Sequence, residues 1–199
     1  MKIDPLILHG AHIRLEPMRP DHLAGLQAAA AHPEIWNWTW PGADPENVAT
    51  WLETSLRAVE NGSDLPFSTV DMSDGAIIGG TRLMNIDLSN RVVEIGNTWL
   101  TPRFQRTPVN TDTKHLLLRH AFEVLDCNCV EFKTDANNTQ SRAALANLGA
   151  VEEGIRRRHM IVPGGRVRDS AVFSIIREEW PAVKASLEAK LARPWNRVG

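Results

Sequence analysis

The apolar pattern between Arg91 and Asp135 changes period twice, and that constrains the fold more than any other stretch. Residues 91–100 alternate apolar and polar as a strand does. From Thr111 to Leu125 the spacing becomes helical: Leu117, Ala121 and Val124 form one stripe, which Leu118, Phe122 and Leu125 widen. Val130, Phe132 and Thr134 then alternate again. A strand, a helix and a second strand in succession predict a parallel pair, because the helix carries the chain back to the same end of the sheet. Just before it, Phe67–Val70, Ala76–Ile86 and Arg91–Leu100 are separated only by Ser73-Asp74-Gly75 and Leu88-Ser89-Asn90, which are turn sequences. Three consecutive antiparallel strands are expected there. One parallel pair inside a mostly antiparallel sheet is an α+β arrangement.

The flanking sequence fits the same sheet. Residues 11–17 read as a first strand, ended by Pro17, and Leu23 to Ala31 as an Ala-rich helix. An aromatic loop, Trp36-Asn37-Trp38-Thr39-Trp40, precedes a helix from Pro45 to about Glu60. Asn138 to Leu148 is a further helix with Gly149 placed to end it. Strands at Val151–Ile161 and Arg168–Ile176 and a last helix at 179–192 complete the chain. No linker or repeat divides these elements, so residues 1–199 are expected to form a single domain.

Composition excludes several classes. Hydrophobic residues make up 43% of the chain, enough to fill a core. A formal charge of -2 lacks the basic footprint of a nucleic-acid binder. Asp4 and Pro5 interrupt the stretch where a signal peptide would need apolar residues, and no run approaches a membrane span. A soluble, cytoplasmic protein with no membrane partner is expected. The two cysteines, Cys127 and Cys129, are too close for a disulfide framework and have no second pair at zinc spacing. They read as reduced structural thiols, and no metal site is expected; His115 and His120, five apart, read as structural too.

The segment Trp99-Leu100-Thr101-Pro102-Arg103-Phe104-Gln105-Arg106-Thr107-Pro108-Val109-Asn110-Thr111-Asp112 joins a strand to the strongest helix. Backbone N–H groups at a helix start lack intrahelical partners and sit at the positive end of the dipole. Such a turn binds phosphate without a basic cluster. Many strand–helix turns bind nothing, and both readings stand at this level.

The order of elements, together with this turn, resembles the GNAT superfamily of acyl-CoA N-acyltransferases. The nearest resemblance is to its ribosomal-protein N-terminal acetyltransferase branch, over roughly residues 10–180. It rests on His12-Ile13-Arg14-Leu15-Glu16-Pro17, Ile78-Gly79-Gly80, Glu94-Ile95-Gly96, Val109-Asn110-Thr111-Asp112, Asn138-x-x-Ser141-Arg142, Leu148-Gly149-Ala150 and Arg168-Asp169, in that order. The resemblance implies a sheet splayed between the strands at 91–100 and 130–134, with acetyl-CoA in the gap. The pantetheine arm would pair with Trp99 and Leu100. Gln105, Arg106, Thr107, Val109, Asn110 and Thr111 would hold the pyrophosphate, with Asn138 as a further contact to coenzyme A. The family loop, Gln/Arg-x-x-Gly-x-Gly/Ala, reads here Gln105-x-x-Pro108-x-Asn110, and Pro108 has no N–H to donate.

The reaction implied is attack of a neutral primary amine on the thioester in a ternary complex. Glu94 occupies the position of a catalytic base. By strict alternation Val92, Glu94, Gly96 and Thr98 share its face; a salt-bridged Glu94 is the other reading. The Tyr that many members use to protonate the thiolate is missing. Its position is Leu145, and the chain has no Tyr. Ser141 is the nearest hydroxyl, either a donor to the sulfur or bonded to its own backbone. Asn137 and Asn138 are both good N-caps, Asn137 with Gln140 in a capping-box arrangement. Trp36, Trp38 and Trp40 either line the acceptor side or plug the core. Arg156-Arg157-Arg158-His159 is expected to alternate between solvent and acidic partners. The acceptor implied is a protein N-terminus. A small-molecule amine, a CoA-binding protein with little catalysis, and a purely structural domain are the alternatives. The tail Pro194-Trp195-Asn196-Arg197 is a candidate contact to a second copy in a homo-oligomer.

Overall fold

The protein is seen in a computed structural model that describes residues 4–195. Eight strands form one sheet: β1 (Leu8–His9), β2 (Ile13–Pro17), β3 (Leu65–Asp71), β4 (Ile77–Asp87), β5 (Val92–Leu100), β6 (Cys129–Asp135), β7 (Val151–Ile161) and β8 (Val167–Ile176). Their order is β1-β2-β3-β4-β5-β6-β8-β7, and β5–β6 is the parallel pair. The helices are α1 (Leu23–Ala30), α2 (Pro45–Glu60), α3 (Pro108–Arg119), α4 (Thr139–Leu148) and α5 (Trp180–Leu191). The expected mixed, mostly antiparallel sheet flanked by helices is therefore the fold, with β1 an additional short strand at its edge.

Each face of the sheet buries its own core. Leu116, Leu117 and Leu118 of α3 meet Val93, Ile95 and Phe132 of the sheet, with Leu145, Leu148, Val183 and Leu187 from α4 and α5. On the other face, Leu26 and Ala30 of α1 and Val48, Trp51 and Leu52 of α2 enclose Trp99. Area removed from water stabilises both layers, at about 1.5–3 kcal/mol for each large side chain.

Helix α3 departs from expectation at both ends. It starts at Pro108 rather than Thr111, since Pro at the first helical position needs no N–H partner. It then widens into a π turn over His120–Val124, where the Leu125 N–H reaches back to the His120 carbonyl at 2.9 Å. That extra residue per turn keeps Ala121 and Phe122 buried but swings Val124 out to 68% exposure, away from the stripe in which helical spacing had placed it. Residues 33–37 form a 3₁₀ turn ahead of the tryptophan loop. Trp195 packs on its own chain, edge-on to the His12 ring at 5.0 Å, rather than standing free for a neighbour; Asn196 and Arg197 lie outside the described residues.

Among the described residues, no helix is long and apolar enough to cross a membrane, and no cluster of side chains is placed to hold a metal ion. Burial pushes the thiols of Cys127 and Cys129 up to about 11, so both are protonated and inert at neutral pH.

Candidate active site

β5 and β6 run side by side only from Val92↔Cys129 to Glu94↔Glu131. Beyond Glu94 they part, so the edge of β5 from Gly96 to Leu100 that faces β6 has no strand partner. On its other side that stretch still pairs with β4, Gly80↔Trp99 and Gly79↔Leu100. The result is a slot through the sheet, one wall of which is a backbone edge that no strand pairs.

A bulge in β5 decides which side chains line the slot. Asn97 and Thr98 together oppose one residue of β4, and Asn97 has a φ of 48°. Glu94 lies on the α1–α2 side and, past the extra residue, Trp99 does too. Thr98 is turned to the α3 side, where it accepts a hydrogen bond from Lys114 Nζ at 2.9 Å. The alternation that put Thr98 on the face of Glu94 is broken by that one inserted residue.

Glu94 is 6% exposed. Its Oε2 accepts from Asn85 Nδ2 at 2.7 Å and from Lys133 Nζ at 2.8 Å. Both bonds end on the same oxygen, and Oε1 has none. Burial works against charge on Lys133, but its bonds to Glu131 and Glu94 carry its pKa above the ordinary lysine value. The salt-bridged Glu94 is thus what the fold builds, with one oxygen left over. Lys133 and Asn85 had no signal in the sequence, because the pairing across a parallel crossover and the left-handed turn at Asn85 are not local properties. Next to Glu94, Gly96 keeps the slot open: a Cβ there would lie 2.5 Å from Met84 Sδ and 3.5 Å from Glu94 Oε1.

The head of α3 opens at the same end of the slot. Thr107 caps it, accepting from the Val109 N–H at 3.3 Å while donating to the Phe104 carbonyl at 2.7 Å. The N–H groups of Arg106, Thr107 and Asn110 make no hydrogen bond within the described residues. Arg106 is exposed and holds a φ of 59°. Gln105 Nε2 is tied back to the Leu100 carbonyl at 3.1 Å. Val109 is fully buried, so of the predicted phosphate contacts its amide is spent on the cap and its side chain on the core. Thr111 is partly exposed in the first turn. Asp112 faces away, buried to 1%, and accepts from the N–H groups of His12 and Ile13 at 2.7 and 3.3 Å. It fastens β2 to the helix.

At the start of α4, Asn138 rather than Asn137 is the cap, accepting from the Ser141 N–H at 3.0 Å. Its amide NH₂ makes no bond. The Ser141 hydroxyl makes none either, so it is not held by its own backbone, and Leu145 is buried one turn on.

The three loop tryptophans separate. Trp36 packs at 5.1 Å from Trp99 and donates its indole N–H to the Ala30 carbonyl, so it plugs the second core. Trp38 and Trp40 stay exposed, and the Arg166 guanidinium lies 5.8 Å from the Trp38 ring. Arg166 also pairs with the buried Asp135 at 2.5 Å. Among the described residues, Arg156, Arg157 and Arg158 form no ion pair with an acid; Asp169 accepts instead from the Arg158 backbone N–H at 2.6 Å. Burial, with help from the charges of Arg156, Arg168 and Lys133, holds the His159 pKa below the usual imidazole value. Arg166 thus links the Trp38 ring to Asp135.

A sequence profile of the acetyltransferase (GNAT) domain matches residues 12–151. Over 180 residues the chain is 28% identical to YdaF of Bacillus subtilis (strain 168), provisionally named a ribosomal N-acetyltransferase; the match spans 85% of this chain and 92% of that protein. A GCN5-related N-acetyltransferase from Brucella melitensis superposes with a TM-score of 0.89 at 33% identity, over 96% of this chain and 88% of that one. RimJ of Mycobacterium smegmatis, solved with CoA-disulfide, shares the fold at a TM-score of 0.81 and 24% identity, over 96% and 98% of the two chains. The sheet, the slot and these matches together make the chain a member of the GNAT acetyltransferase family.

Proposed function

We propose that the protein transfers an acetyl group from acetyl-CoA to a primary amine by direct attack, with a protein N-terminus as the acceptor. The observation that carries this reading is the parting of β5 from β6 just beyond Glu94, with unpaired amides at the head of α3 beside it. Amide groups of a pantetheine arm would complete the open edge at Trp99 and Leu100, as a peptide augments a sheet. The free N–H groups of Arg106, Thr107 and Asn110, the dipole of α3 and the Arg106 side chain suit a diphosphate. Thr111 and the spare NH₂ of Asn138 are further donors nearby. Val109 contributes shape rather than a bond.

Glu94 Oε1 is the base in this reading. It takes the proton that the acceptor nitrogen sheds, while Asn85 and Lys133 hold the other oxygen and fix the carboxylate. An α-amino group titrates near ~8, so below that pH a base matters most. Trp38 and Trp40 form the exposed wall on the acceptor side, and Trp36 stays in the second core. The name of YdaF supports a protein acceptor. The whole chain acts as one unit in this reading, in the cytoplasm where such acceptors are made.

Calorimetry with acetyl-CoA and thiol release across a panel of peptides and small amines test it. Binding and release with N-terminal peptides are expected. Glu94→Gln should lower kcat/KM about a hundredfold near neutral pH and progressively less above pH ~8. Full activity of Glu94→Gln at all pH values would remove Glu94 as base. No acetyl-CoA binding would end the reading.

A further inference from the structure

Lys114 is a lysine where a core residue belongs. It shares a helix face with Leu117, Leu118 and Ala121, and it is 8% exposed. Its Nζ donates to Thr98 Oγ1 at 2.9 Å and lies 5.7 Å from the Phe132 ring. Thr98 in turn shares a hydrogen bond with Thr81 Oγ1 at 2.8 Å. Among the described residues no carboxylate pairs with it. On β5 it meets the Thr98 hydroxyl and on β6 the Phe132 ring, with the Thr81 hydroxyl of β4 behind Thr98, and none of these titrates near neutral pH. A buried ammonium without a counter-charge costs several kcal/mol unless something offsets it, and such groups gather at functional sites.

Its location gives the reason. Thr98 stands on β5 and Phe132 on β6, one on each lip of the parting strands. The amine therefore sits in the floor of the slot, on the side opposite Glu94. Following the acetyl-CoA reading, on which this step rests, the arm enters at α3 and lies along Leu100 and Trp99, and the carbonyl carbon stops opposite Glu94. The sulfur joins those two points, so it lies in the stretch held by Thr98 and Lys114.

We infer that Lys114 is the catalytic acid of this protein, donating a proton to the sulfur as the thioester opens. The acceptor nitrogen bonds to the carbonyl carbon, and the C–S electron pair leaves on sulfur. That pair takes a proton from the Lys114 ammonium, while the nitrogen, positively charged once bonded to carbon, sheds one of its original protons to Glu94. The products are an amide and a thiol. Glu94 returns its proton to water, and Lys114 regains one from water. Burial brings the Lys114 pKa down to about 7, close to the working pH, where an ammonium gives up its proton far more readily than an ordinary lysine. The missing tyrosine is thereby replaced from a different helix.

Lys114→Met keeps the stem and removes the charge. Expected results are an acetyl-CoA Kd within about twofold of wild type, a kcat lowered about a hundredfold or more, and a Tm raised by roughly 3–6 °C because the desolvation cost is gone. In wild type the rate should fall as pH climbs past the Lys114 pKa and the acid form is lost. That alkaline limb should vanish in Lys114→Met. Unchanged kcat, a limb that persists, or weakened acetyl-CoA binding with kcat intact would each overturn the assignment. So would acetyl-Lys114 in the mass spectrum after turnover, which makes the amine a nucleophile. Should Lys114→Met not fold, the Lys114 ¹³Cε resonance of the wild-type protein decides. It should titrate well below the other lysines and shift when CoA is added, and no response to CoA overturns the assignment. Wild type that releases no thiol with any amine would instead overturn the acyltransfer reading itself.

Discussion

A proline at position 108 removes one donor from a ring of backbone amides that a diphosphate would use. Its neighbours compensate in part. The Arg106 and Thr107 amides precede it unpaired, and the Asn110 amide follows. Pro108→Ala restores the N–H at the first helical position while preserving helix propensity. One added hydrogen bond to an anion is worth about 1 kcal/mol, so the Kd for acetyl-CoA should fall about fivefold in a calorimetric titration. An unchanged Kd would place the diphosphate elsewhere. Residue chemistry of this kind was readable from sequence where it depends on backbone position: Pro108 as a silent amide, Asn138 as the start of α4; Thr107 as cap was not, because the helix was expected to begin at Thr111. It was not readable where a side chain meets a distant partner. Lys133 bonding to Glu94 and Asp112 bonding to β2 join positions 39 and about 100 residues apart in the chain. Lys114 did leave a trace, a cation at i−3 and i−4 from Leu117 and Leu118, but in an exposed helix the same pattern is an ordinary edge residue.

At the scale of elements, the bulge in β5 matters most. A residue with φ near 48° is tolerated by Asn at little cost and resisted by β-branched side chains. Asn97→Val should destabilise the protein by about 1–2 kcal/mol in urea unfolding. It should also cost activity at 25 °C beyond the loss of folded protein, because straightening the strand would return Thr98 to the wrong face. A variant with wild-type activity per folded molecule would show that the bulge does not order the slot. Element boundaries were legible where Pro, Gly or an alternating run marked them. Helix α2 was expected from Pro45 to Glu60 and is found there. Bulges and π turns escaped because each is a single surplus residue, invisible to periodicity until the partner strand or helix is in place.

For the whole molecule, the slot makes a prediction about protection. Backbone hydrogen exchange with CoA added should slow at 96–100 and 106–111. The far edge, β1 and β2, should be unaffected. Equal protection at both edges would mean global stabilisation rather than occupancy of the gap. The one parallel pair followed from the strand–helix–strand signature in the sequence, since a crossover there makes β6 the parallel neighbour of β5; the placing of β8 between β6 and β7 did not, because pairing of distant strands leaves no local pattern.

The parting of β5 and β6 also separates the two reagents in space. On the proposed function, the thioester would reach the reaction point along the edge of β5 from the α3 end, and the amine would approach over the opposite layer, past Trp38. Neither path crosses the other, so each partner can dock while the other is already seated. Kinetics with a sequential rather than a substituted-enzyme pattern follow from that geometry alone, whatever amine the protein meets.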